Sequence, residues 1–274
     1  MKRTARIAAA GLLAAAVLLL SALAAPSVSA KSALLLDADT GEILFEKNAS
    51  SRSLIASTTK IMTALLIAEH CDADAQVVIE PEAVGVEGSS MYLREGDIFT
   101  VRQLLYGLML QSGNDAAAAL AQYLDGDEET FVRRMNERAA ALGLADTHYA
   151  NPHGLDSGEN YSTAADLARL TAFALENDTF RGIVSTKTVS FGDRTLVNHN
   201  KLLWKYDGCI GVKTGYTRAA GRILVSAAER EGRRLIAVTI CDGDDWNDHI
   251  KLLDYGFGNS QGRALPVRIH KENV

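Results

Sequence analysis

Cysteine is scarce in this sequence and poorly spaced for chemistry. The three present, Cys71, Cys209 and Cys241, include no CxxC pair, so neither a zinc site nor the multi-bridge framework of small secreted domains is expected. At most one bridge can form. A Cys209–Cys241 pair on neighbouring strands stays open, and the expected role of all three is that of small buried apolar residues. A dense lysine or arginine stripe is also missing: 34 acidic side chains outnumber 28 basic ones, for a formal charge of −6. That balance argues against nucleic acid as a partner. No internal repeat, low-complexity tract or long linker interrupts the 274 residues, a length that suits one sizeable core or two modest ones.

What is present begins with a leader. Lys2, Arg3 and Arg6 precede an uncharged apolar run from Ile7 to Ala25, followed by Pro26 and the small residues Val28-Ser29-Ala30. This reads as a signal peptide over residues 1–30, cut after Ala30, and places the rest of the chain outside the cytoplasm. The competing reading is an uncleaved membrane anchor, since the run is nearly long enough to span a bilayer. Membrane association is expected only in that case. Removing the leader leaves 25 basic and 34 acidic side chains, a charge of −9.

The remainder changes period twice. Ala33–Leu36 and Ile43–Phe45, joined by Asp37-Ala38-Asp39-Thr40-Gly41, read as a β-hairpin. Val101–Leu110 aligns Leu104, Leu105, Leu108 and Met109 on one helical face, and Phe131, Met135 and Leu142 repeat at helical spacing up to Gly143. Thr163-Ala164-Ala165-Asp166 resembles a capping box. Strand character returns at Arg222–Ala228 and Leu235–Cys241, around Glu231-Gly232. Strands from the two chain ends must pair to bury their apolar faces. The expectation is an α+β sandwich: an antiparallel sheet built from both ends, flanked by helices, with a mostly helical lobe inserted over about 65–190. A cleft belongs at the seam.

Three short constellations carry candidate chemistry. Ser57-Thr58-Thr59-Lys60 opens a helix, where positions i and i+3 share a face, so the Lys60 amine can approach the Ser57 hydroxyl. A serine needs such a base, and a lysine serves only if burial or nearby positive charge lowers its pKa. Ser112-Gly113-Asn114 joins one helix to the next, with Asn114 or Asp115 as the expected N-cap. Lys213-Thr214-Gly215 at a strand edge sets a cation beside a hydroxyl, which suits a carboxylate, while Gly215 admits close approach of a ligand. Each alone is weak, because S-x-x-K recurs by chance and the other two also read as a helix connector and a strand-ending turn.

Together and in this order they resemble the penicillin-binding proteins and serine β-lactamases. The flanking Gly88-Ser89-Ser90, Ser112–Ala117, Asn151-Pro152-His153-Gly154-Leu155-Asp156, Tyr161-Ser162-Thr163-Ala164, Asn198-His199-Asn200 and Leu252–Phe257 narrow the likeness. The chain is similar to the low-molecular-mass penicillin-binding proteins of the serine-type D-alanyl-D-alanine carboxypeptidase type, from about Ser32 to Phe257. The resemblance implies a β-lactamase/transpeptidase-like fold, peptidoglycan stem peptides ending in D-Ala-D-Ala as substrate, β-lactams as inhibitors, and no metal or cofactor. It implies Ser57 as acylated nucleophile, Lys60 as its base and Ser112 as proton donor to the leaving D-alanine. Asn114 would hold Lys60 and the substrate amide, and Lys213 and Thr214 the substrate carboxylate. The backbone N–H groups of Ser57 and Tyr216 would form the oxyanion hole.

Departures from the pattern are Ile55 where relatives commonly carry Pro, and Asn160 where they often carry His. Many relatives also continue into a second β-rich domain and an amphipathic helix. Here a catalytic domain over 31–258 and a short tail, 259–274, are expected instead. A Ser-His-Asp reading fails for want of a G-x-S-x-G elbow, leaving His153 and His199 as scaffold. A β-lactamase is the first alternative, disfavoured because Asn151–Glu176 contains no E-x-x-L-N loop. DD-endopeptidase action shares all the same residues, and a catalytically silent wall-binding module is the non-enzymatic alternative.

Overall fold

The structure, a computed structural model, describes residues 25–258; residues 1–24, most of the expected leader, and residues 259–274, the expected tail, lie outside them. Strands from the two ends of the described region do pair, Ser32–Asp37 antiparallel with Leu235–Ile240. β1 (Ser32–Asp37) and β2 (Ile43–Lys47) form the expected hairpin. Three two-stranded pairings follow: β3 (Ser53–Leu54) with β6 (Tyr161–Ser162), β4 (Gln76–Val78) with β5 (Ile98–Thr100), and β7 (Thr188–Phe191) with β8 (Arg194–Val197). β9 (Cys209–Thr217), β10 (Gly221–Arg230) and β11 (Arg233–Ile240) complete the main sheet in the order β2-β1-β11-β10-β9, antiparallel throughout.

Strand alternation divides the core between the two faces. Leu34, Leu36, Ile223, Val225, Ile236 and Val238 face the helical lobe. Ala33, Leu35, Leu224, Leu235 and Ala237 face the final helix. With both faces covered, β1 is buried along its whole length, which explains a near-continuous apolar run where a half-exposed strand would alternate.

The helices of the lobe are α1 (Lys60–His70), α2 (Val101–Leu110), α3 (Asn114–Asp125), α4 (Glu128–Ala141), α5 (Ala164–Ala174) and α6 (Asp178–Ser185). A short α7 (Leu202–Lys205) precedes β9, and α8 (Asp245–Gly258) closes the second face of the sheet. Gly256 sets that closeness, since a Cβ there would stand 2.5 Å from Leu235 Cδ1. No helix among the described residues is long and apolar enough to cross a membrane.

Several local expectations need correcting. Thr163 caps α5 by accepting from Asp166 N–H, but the box is only half made. The Asp166 carboxylate accepts instead from Asp146 N–H and Thr147 Oγ1. A complete box exists at Thr100 and Gln103, ahead of α2. The N-cap of α3 is Gly113 rather than Asn114 or Asp115, because both of those side chains are committed elsewhere. The cysteines are not uniformly buried: all three are free thiols, Cys71 and Cys209 half-buried and Cys241 exposed. The short strands β4, β5, β7 and β8 escape sequence periodicity because three or four residues are too few to display one.

Candidate active site

Ser57 sits in a 3-10 turn, Ala56–Thr59, that feeds straight into α1. Ala56 adopts a left-handed φ of 45°, a conformation that costs a non-glycine residue and clusters at functional sites. The Asn151–Leu155 turn presses on it from one side. Gly154, with φ 89°, packs so closely that a Cβ would lie 2.0 Å from Ala56 O and 3.0 Å from Ser57 N. Asn151 ties this turn by accepting from Gly154 N–H at 2.7 Å and donating to Leu155 O at 3.0 Å. From the other side, a Cβ on Gly215 would meet Ile55 O, Ser57 N and Thr58 N, each at 3.3 Å. The missing Gly215 side chain therefore makes room for the turn that carries Ser57, which adds to the expected role of admitting a ligand.

Lys60 is 0% exposed. Its Nζ stands 3.1 Å from Ser57 Oγ and 2.7 Å from Asn114 Oδ1, and it also donates to His153 O. A neutral amine has two N–H donors and one lone pair. As an ammonium Lys60 donates to Ser57 Oγ as well; once it is neutral, with Asn114 and the His153 carbonyl taking its two donors, the lone pair is left for the Ser57 hydroxyl, which is the geometry a base requires. Burial, and then the charge of Lys213, push the Lys60 pKa well down, while Asp115 opposes the shift. Asn114 is itself oriented, because its Nδ2 donates to Glu87 O.

Ser112 has a left-handed φ of 62° and lines the cleft, although it is not among the three partners of Lys60. Thr214 and Tyr216 line the same cleft, of about 530 Å³. Lys213 lies behind them, 1% exposed, with its ammonium on Thr214 O at 2.9 Å. It can act on a bound anion through its charge, and burial lowers its pKa to about 7. His153 is a scaffold residue, as expected. Its carbonyl serves Lys60, its Nδ1 accepts from Leu155 N–H, and burial followed by Lys60 holds it neutral, with a pKa of about 4. His199 differs from expectation by lining the cleft itself. Burial and Lys213 lower its pKa.

Residues that the sequence reading missed complete the walls. Asp115, 1% exposed, accepts from Ser90 Oγ at 2.6 Å, Met91 N–H at 2.9 Å and Leu93 N–H at 3.1 Å. It thereby fastens the 87–93 loop, whose Ser89 faces the cleft, to the start of α3. An aspartate at a helix start reads as a cap, and nothing local reveals that it serves a distant loop. Arg222, Asp245 and Trp246 form the far wall, with Arg222 and Asp245 paired through Nε at 3.1 Å.

A buried lysine paired with a serine at the seam of sheet and helical lobe, facing a Lys-Thr-Gly strand edge, defines a serine acyl-enzyme of the penicillin-binding, β-lactamase-like class. The D-alanyl-D-alanine carboxypeptidase family profile matches residues 20–243, and the chain belongs to that family. The D-alanyl-D-alanine carboxypeptidase DacF of Bacillus subtilis is 37% identical over 87% of this chain and 65% of its own length. The D-alanyl-D-alanine carboxypeptidase of Streptomyces sp. strain K15 is 38% identical over 86% of this chain and 90% of its own. The crystal structure of the Streptomyces K15 DD-transpeptidase superposes with a TM-score of 0.82 at 36% identity, covering 86% of this chain and 99% of that one.

Proposed function

We propose that the chain removes the terminal D-alanine from peptidoglycan stem peptides through an acyl-enzyme on Ser57, and that penicillin blocks it by acylating the same oxygen. The observation that carries this reading is the buried Lys60 Nζ at 3.1 Å from Ser57 Oγ, with Asn114 Oδ1 and the His153 carbonyl as its other partners. Lys60 takes the Ser57 proton as the hydroxyl attacks the carbonyl between the two D-alanines. The oxyanion lies between the backbone N–H groups of Ser57 and Tyr216, where one donor typically lowers the barrier by roughly 3–4 kcal/mol. Ser112 hands a proton to the departing D-alanine amine, and Asn114 holds Lys60 and the substrate amide. Thr214 binds the terminal carboxylate directly, with the Lys213 charge behind it. Water then hydrolyses the ester.

The protein works outside the cytoplasm, delivered by the N-terminal leader. A second reading, transfer of the acyl group to an amine in place of water, draws on the likeness to the K15 DD-transpeptidase; both fates share the Ser57 ester. The test is Ser57→Ala, which should abolish D-alanine release and covalent labelling by a fluorescent penicillin together. Persistent labelling of the variant would mean another residue is the nucleophile.

A further inference from the structure

The segment ahead of β1 is built into the globule. Val28 is 7% and Ala30 0% exposed, on the α8 side of the sheet. Lys47 Nζ donates to Val28 O at 2.9 Å, and Lys31 N–H to Ile240 O at 3.1 Å. Between them, Ser29 Oγ stands 2.6 Å from Asp242 Oδ1 and 2.9 Å from Asp248 Oδ2, and Ser29 N–H also donates to Asp248. These carboxylates are 2% and 0% exposed. They bracket the turn that delivers Asp245 and Trp246 to the cleft wall, and Asp242 also accepts from Asp244 N–H at 3.0 Å.

A chain beginning at Lys31 would lack Ser29. Two buried carboxylates would then face each other with fewer donors, an expensive arrangement. A peptidase acting on the unfolded chain is not deterred by burial at Ala30; what matters is whether its product retains the contacts of the fold. The sequence offers a second triplet with small first and third residues, Ala22-Leu23-Ala24, at the end of the apolar run and within the usual leader length.

We propose that the leader is cut between Ala24 and Ala25, and that the retained Val28–Ala30 segment is a strap holding the cleft wall through Ser29. This rests on the export reading above. The test is N-terminal sequencing and intact mass of the exported protein, expressed from the full chain. A start at Ala25 is expected. An exported protein starting at Lys31 overturns the cleavage site alone, an exported product that still carries residues 1–24 overturns cleavage altogether, and a product found only in the cytoplasm overturns the export reading with it. Ala24→Leu, which places a bulky residue at the cut, should leave the leader attached, and unchanged processing would again refute the site. Ser29→Ala tests the strap: Tm should fall by roughly 3–8 °C, with KM raised several-fold. Unchanged Tm and KM would remove the strap role.

Discussion

Replacing Lys60 by methionine tests the base directly, because it keeps most of the side-chain volume and removes the amine. The site has arranged that amine at 3.1 Å from Ser57 Oγ with both spare donors satisfied. A positioned general base contributes about 10²–10⁴ in rate, equivalent to roughly 3–5 kcal/mol of barrier. Stability should respond far less. Losing the amine leaves the Asn114 and His153 oxygens without its donors, at about 1–3 kcal/mol each, offset in part because an amine 0% exposed no longer has to be taken out of water. The assay is the second-order rate of acylation by a fluorescent penicillin from pH 6 to 10, with Tm measured alongside. The wild-type rate should climb with pH as Lys60 loses its proton, on a limb that lies below the ordinary lysine range because burial and Lys213 depress that pKa, before loss of the Lys213 charge draws the rate down at higher pH. In Lys60→Met the rate should drop by about 10²–10⁴ and this rising limb should vanish, with Tm lowered by no more than roughly 10 °C. A loss below tenfold, or an unaltered rising limb, would refute the assignment.

Three further outcomes are expected. Gly154→Ala should cost about 3 kcal/mol or more and impair acylation, because its Cβ overlaps Ala56 O and forces the Ser57 turn to move; urea melts and penicillin labelling would detect both, and a stable, fully labelled variant would contradict the packing argument. Lys213 attracts the substrate carboxylate only when charged, and its pKa is lowered to about 7 in the free protein, so kcat/KM for a D-Ala-D-Ala peptide should decline above that pH while kcat holds better; a profile flat to pH 9 would refute the role. His249 is fully buried between Ser226 Oγ and Thr239 Oγ1, and burial lowers its pKa to about 3. Its folded value lies below its unfolded one, so its stabilisation is complete above pH 6.5 and is lost as pH falls towards 3; between pH 7 and 4.5 the loss should be about 2–3 kcal/mol, and His249→Asn should remove that part of the pH dependence in denaturant titrations.

The parts of this molecule that were legible from sequence are those governed by local period and by motif order. The β1–β2 hairpin, the β10–β11 hairpin and α2 appear where alternation or a 3.6-residue stripe is strong, and pairing of the chain ends followed from their shared need to bury apolar faces. The closeness of Ser57 Oγ and Lys60 Nζ was readable because positions i and i+3 of a helical turn share a face, while the roles proposed for them came from the order of the three motifs. Asp115 and His199 were not, because their roles depend on a loop and a strand edge brought in from elsewhere in the chain. Gly154 was visible as part of a motif, but its close contact with Ala56 O is a tertiary fact. Ser29 shows the same limit in reverse: its small-residue surroundings suggest processing, and only the folded contacts with Asp242 and Asp248 reveal a structural task.

The most direct test of the whole account is D-alanine release from diacetyl-lysyl-D-alanyl-D-alanine by the exported protein, with and without penicillin. Release that penicillin abolishes, with one penicillin bound covalently per chain at Ser57, is the predicted result. No release while Ser57 still takes up penicillin would contradict the carboxypeptidase reading and leave an intact acylation site with another bond as its target.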